Sequence, residues 1–179
     1  MTIQTLIDDV LKKEGGYCDN PHDKGGPTCM GITLATLDDF TGKKNGKADI
    51  KALSKPAAKS IYLKNYYLKP GINYLPSALQ PLMFDMAVNQ GPGSAIKLLQ
   101  LELKNLKYIY RAADGINGPI TITAAQKAIT DLGDKFINTL VNRRIEFYHD
   151  LVEAKPNQSV FLKGWIARAE TFRPPEYTA

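Results

Sequence analysis

Between Ser77 and Gln90 the chain sets Leu79, Leu82, Met83, Met86 and Ala87 at helical spacing, with apolar groups on most sides. A helix that is apolar nearly all round has no face to offer water, so other elements must surround it. The pattern predicts a central buried helix and a domain built around it. Two polar residues interrupt it. Asp85 and Asn89 are four apart and share one face. Either they line a cleft and position ligand or water there, or they form a buried hydrogen-bonded pair that fixes packing or caps a loop.

The same periodicity predicts the surrounding helices. Ile3, Leu6, Ile7, Val10 and Leu11 mark a helix over 2–14, with Thr2 as its N-cap. Thr33 is placed to cap a helix over 34–40, and the glycine- and lysine-rich stretch 41–47 reads as a surface loop. A helix over 55–68 carries Pro56 in its first turn and buries Ala57 or Ala58, Ile61 and Tyr62. Ser94 can cap a helix over 95–105, and a turn from Asp114 opens another near Thr121. A long helix over 135–153 uses Phe136, Leu140, Ile145 and Tyr148, and the last, over 160–171, docks through Trp165. On the long helix Arg143 and Arg144 are expected in solvent, with pairing to an active-site acid as the alternative. The expected fold is therefore mainly α.

With 179 residues the chain suits one domain, or one with a small appendage. A net charge of +5 fits an anionic partner surface, but no basic stripe or motif points to nucleic acid. No apolar run reaches membrane-spanning length, so stable membrane insertion is not expected. The first residues carry Asp8 and Asp9 where a signal peptide would be basic and then apolar, which predicts synthesis and retention in the cytoplasm. That compartment favours free thiols at Cys18 and Cys29, with oxidation after release left open. Cys18, His22 and Cys29 lack a fourth ligand and a zinc-type spacing, so neither metal nor cofactor is expected. His22 and His149 have no nucleophile context for a catalytic Cys–His pair.

The chemistry concentrates between Glu14 and Thr33. Glu14 prolongs the first apolar stripe at the C-terminal end of its helix, just before Gly15 and Gly16. Partial burial and the negative end of the helix dipole both favour its protonated form, as a general acid needs. Asp23 lies among Asn20, His22, Lys24 and the Gly25–Gly26 pair, surroundings that favour the ionised form. The Thr28 hydroxyl can hold a water. One protonated and one ionised carboxyl facing a common cleft is what glycoside hydrolysis requires. The plainer alternatives are a fraying glutamate and a turn aspartate. The segment is expected as a loop or short hairpin, with Gly31–Thr33 as a brief strand. Tyr66, at the end of the 55–68 helix, suits either a sugar-stacking face or the core.

The strings Glu14-Gly-Gly-Tyr17 and Pro21-x-Asp23-x-Gly-Gly-x-Thr28-x-x-Gly-Ile-Thr33 resemble the signature of glycoside hydrolase family 108, the phage-endolysin muramidases. Phe84-Asp85-x-Ala-Val-Asn89-x-Gly91, Asp114-Gly-x-x-Gly118-Pro-x-Thr121 and Gly164-Trp165-x-x-Arg168 follow in family order. The resemblance implies a lysozyme-like helical domain with Glu14 as the essential acid. The Glu, Asp, Thr order also resembles the T-even phage lysozymes, although there the threonine lies six residues past the aspartate rather than five. The 114–121 turn is similar to that of small helical peptidoglycan-binding modules. Together these imply a catalytic region over 1–93 and a helical C-terminal part over 94–179, packed as one compact unit. The implied function is hydrolysis of the β-1,4 bond between N-acetylmuramic acid and N-acetylglucosamine in peptidoglycan. Glu14, Asp23 and Thr28 would be catalytic, with Tyr17, Thr33, Tyr66, Asp85 and Asn89 on the substrate. The alternatives are a lytic transglycosylase and a non-catalytic peptidoglycan-binding protein. The expected setting is a monomer acting on the wall after release from the cytoplasm, with a holin where the gene is phage-derived.

Overall fold

The computed structural model describes residues 2–13, 16–19 and 26–175, which fall into two compact units, Met1–Pro70 and Gly71–Ala179. The first unit contains α1 (Ile3–Lys13), strands β1 (Tyr17–Cys18), β2 (Thr28–Cys29) and β3 (Ile32–Thr33), α2 (Leu34–Thr41), α3 (Lys47–Lys51) and α4 (Lys55–Leu63). The second contains α5 (Gln80–Gln90), α6 (Pro92–Asn105), α7 (Pro119–Leu132), α8 (Asp134–Ala154) and α9 (Ser159–Glu170). The fold is mainly α, with one small sheet among the described residues. No described helix is long and apolar enough to cross a membrane.

In the first unit the Thr2 hydroxyl caps α1, accepting from Thr5 N at 3.2 Å. The stripe of Leu6, Ile7, Val10 and Leu11 is buried. α1 packs on α4, and an Asp8–Lys59 ion pair links the two helices. α4 starts as the sequence predicts, with Ser54 as its cap and Pro56 in the first turn. Its end differs. Over Lys64–Leu68 the helix widens into a π turn, closed by Lys69 N donating to Lys64 O at 2.8 Å. The wider turn shifts the phase of Tyr66 and Tyr67 against the face that precedes them, a distortion common at functional sites. The surface loop ends earlier than predicted, because α3 forms at Lys47–Lys51 and buries Ile50. Asp49 Oδ2 caps it by accepting from Gly46 N at 2.8 Å.

The three strands are antiparallel in the order β1-β2-β3, each two residues long. Met30 and Gly31 form a two-residue hairpin between β2 and β3, with φ of 50° and 73°. Two left-handed residues in a row suit the twist of paired strands, and glycine takes the second place without penalty. Met30 is the costly one. It is held there by burial and by the Tyr62 hydroxyl of α4, which donates to Met30 O at 3.0 Å.

In the second unit α5 is the central helix, with every residue from Leu82 to Ala87 buried. Gly91 (φ 88°, ψ 147°) turns the chain directly into α6. That helix begins at Pro92 rather than after Ser94, because proline in the first turn gives up an N–H that would have no helical partner. α5 packs on α6, α6 on α7 and α8, and α8 on α9. Leu99, Leu103, Phe136 and Leu140 are fully buried.

Candidate active site

Glu14 and Asp23 lie outside the described residues, as does His22; Thr28, Tyr17, Thr33 and Tyr66 lie within them. The strand register pairs Tyr17 with Cys29 and Cys18 with Thr28, then Thr28 with Thr33 and Cys29 with Ile32. Directly paired residues share a face of a sheet. Cys18, Thr28 and Thr33 therefore stand side by side on one face, and Tyr17, Cys29 and Ile32 on the other. The half-buried hydroxyls of Thr28 and Thr33 are brought together, while Tyr17 points away from them. Thr33 also caps α2, its hydroxyl accepting from Thr36 N at 3.2 Å. The two cysteines are free, one exposed and one buried, and they occupy opposite faces. A disulfide between them would need the strands to re-register.

Tyr17 is half-buried and donates to Asp19 Oδ2 at 3.3 Å, and Asp19 is paired with Lys47 at 3.0 Å. Burial, then the neighbouring Asp19 carboxylate, raises the Tyr17 pKa. Tyr66 is half-buried in the π turn, its ring 5.4 Å from that of Tyr62. Tyr62 is core, as expected, and Tyr66 is intermediate between core and surface. Among the described residues no group of three His, Cys, Asp or Glu side chains is placed to hold a metal ion.

Asp85 and Asn89, in the second unit, belong to one hydrogen-bonded chain. Asp85 Oδ2 accepts from Arg144 Nη2 at 2.6 Å, and Oδ1 accepts from Arg168 Nη2 at 2.8 Å and Nε at 2.9 Å. Arg144 Nε donates to the Tyr148 hydroxyl at 2.7 Å, which donates to Asn89 Oδ1 at 2.6 Å. Arg144 is fully buried, so the solvent expected for it is replaced by the Asp85 carboxylate and the faces of Tyr148 and Phe172. Arg143 is paired as well, with Glu102 at 3.1 Å and Glu146 at 3.0 Å. Trp165 packs against Tyr148 with ring centres 5.3 Å apart and the rings tilted, the docking role expected of it. Burial pushes the Tyr148 pKa up, with Arg144 acting against it, so the phenol stays protonated and keeps a proton to donate.

The turn at Asp114 is organised by Gln100, a buried side chain that sequence reasoning passed over. Its Nε2 donates to Asp114 Oδ1 at 2.8 Å, Ile116 O at 3.0 Å and Thr121 Oγ1 at 3.1 Å, while its Oε1 accepts from Gly115 N at 2.8 Å. The bond from Ile116 N at 2.9 Å, and then that from Gln100, hold the Asp114 pKa low. Gly115 is required twice over. Its φ is +76°, and a Cβ there would meet Gly93 O at 2.8 Å. Gly115→Ala is expected to lose roughly 2–4 kcal/mol from the left-handed conformation and the backbone clash together. Chemical denaturation of the purified variant measures this directly.

Two family models match successive parts of the chain, meeting just after α5 and not at the boundary between the two compact units. The family model described as Glycosyl hydrolase 108 matches residues 7–91. A second, described as Predicted Peptidoglycan domain, matches residues 94–170. No curated protein gives a significant match. Among solved structures, that of Brucella abortus SagA is 36% identical over 95% of this chain and 90% of that one, with a TM-score of 0.75. A catalytic-family match followed by a peptidoglycan-domain match, together with this similarity along nearly the whole chain, shows a lysozyme-like enzyme that acts on peptidoglycan. The chain belongs to the glycosyl hydrolase 108 family.

Proposed function

We propose that the enzyme is an N-acetylmuramidase, hydrolysing the β-1,4 bond between N-acetylmuramic acid and N-acetylglucosamine with Glu14 as general acid. The family match over residues 7–91, which contains Glu14, Asp23 and Thr28 in motif order, carries this reading. Glu14 gives its proton to the glycosidic oxygen as the bond to the anomeric carbon breaks. Asp23, with Thr28 holding the water, takes a proton as the water oxygen joins that carbon, or steadies the oxocarbenium-like transition state. Thr33 and Tyr66 contact the sugar, while Tyr17, on the other face of the small sheet, and Asp85, held by Arg144 and Arg168, each support the packing of their own unit. In this reading a monomer reaches the wall after release from the cytoplasm, through a holin where the gene is phage-borne.

Mass spectrometry of the soluble products from purified peptidoglycan tests the reaction. Reducing-end muramic acid is the expected product. Anhydro-muramic ends would make the enzyme a lytic transglycosylase, and no product from folded protein would leave only binding.

A further inference from the structure

We propose that Asn89 is a substrate contact whose amide is turned, by the buried chain Asp85–Arg144–Tyr148, to present its N–H₂ to an amide carbonyl oxygen of peptidoglycan. This rests on the reading of peptidoglycan as the substrate. Donor and acceptor chemistry carries the orientation. A guanidinium Nε can only donate, so the Tyr148 hydroxyl must accept from Arg144 Nε at 2.7 Å. The hydroxyl keeps one proton, and among the described residues its remaining hydrogen-bond partner is Asn89, 2.6 Å away, which therefore takes that proton on Oδ1. Arg144 cannot turn to relax the constraint, because it is fully buried and its Nη2 is tied to Asp85.

The amide nitrogen is thus left facing away from Tyr148. Asn89 Nδ2 makes no hydrogen bond among the described residues, and it is not among the sealed, unpartnered polar atoms. Asn89 is half-buried, at the end of α5, just before the chain turns at Gly91. The chain starts from the Arg144 guanidinium, a positive charge. Hydrogen bonds in a chain polarise one another, so that charge strengthens the far donor and favours an acceptor oxygen over a donor group. Peptidoglycan offers amide carbonyls in two places, the N-acetyl groups and the stem peptides.

The test uses the full chain. On soluble peptidoglycan fragments, Asn89→Leu and Tyr148→Phe should each raise KM about 3- to 10-fold with kcat little changed, the effect of losing one bond made equally in ground and transition states. The double variant should be no worse than Asn89→Leu alone, because Tyr148 acts through Asn89. A purely structural Tyr148 would instead give effects that multiply. Calorimetric binding to glycan strands stripped of stem peptide, and to de-N-acetylated fragments, identifies the carbonyl. The Asn89→Leu penalty should vanish on whichever lacks it. A penalty unchanged on both, an unchanged KM for Asn89→Leu, or multiplying effects would overturn the proposal. Should Tyr148→Phe not fold, Asn89→Leu with the two trimmed ligands decides. Wild-type product analysis in the same assay keeps failure of the muramidase reading separate.

Discussion

Asp85→Ala is expected to destabilise the second unit by about 3–5 kcal/mol, the cost of removing one partner from a buried ion pair. Its carboxylate is paired with two guanidiniums, those of Arg144 and Arg168. Without it, the fully buried Arg144 guanidinium loses its carboxylate partner. The Arg168 side chain keeps 26% of its surface exposed and has some room to turn towards water, whereas that of Arg144 is 0% exposed and has none. The order of the variants is the sharper expectation. Arg144→Met leaves a neutral Asp85–Arg168 pair and fills much of the same volume, so it should cost only about 1–3 kcal/mol. Urea denaturation midpoints of the two proteins measure the difference. Arg144→Met proving the more damaging would show that packing, and not charge balance, governs the cluster.

Glu14→Gln is expected to lower turnover about 10²- to 10⁴-fold, the usual contribution of a positioned general acid. Glutamine keeps the shape and the hydrogen bonding but has no proton to give to the leaving oxygen. Substrate affinity should therefore stay close to wild type while kcat falls, the pattern of an interaction made only in the transition state. Turnover and binding measured on the same peptidoglycan preparation separate the two quantities. A variant retaining more than a tenth of wild-type turnover would remove Glu14 from the acid role.

Helical periodicity made most of the fold legible. The stripe of α1, the all-round apolarity of α5 and the Trp165 anchor of α9 are simple local patterns, and the structure follows them. What escaped depends on phase and on distance along the chain. Arg144 falls four residues after Leu140 and four before Tyr148, on the buried stripe of α8, so its position alone could have marked it as internal. Its partner, Asp85, lies 59 residues away, and no local pattern joins them. Gln100 looks like one more polar residue of an amphipathic helix until the Asp114 turn folds over it. The π turn after α4 leaves no periodic trace, because its sequence, Lys64-Asn-Tyr-Tyr-Leu68, suits an ordinary helix equally well. Within the candidate site, the motif order brought Thr28 and Thr33 into the same short list. Only the register shows that their hydroxyls share a face and that Tyr17 does not.

The Tyr62–Met30 bond has a consequence for how the small sheet opens. Three strands of two residues each are too short to persist by themselves. A hairpin whose first turn residue is a left-handed methionine would relax if left to itself. The phenol that holds it belongs to the buried face of α4, which packs on α1. Fraying of the sheet is therefore thermodynamically linked to loosening of the helices behind it, and its amide protons should exchange with the helical unit and not with the surface loops. The faces that set Thr28 beside Thr33 last as long as that unit stays closed.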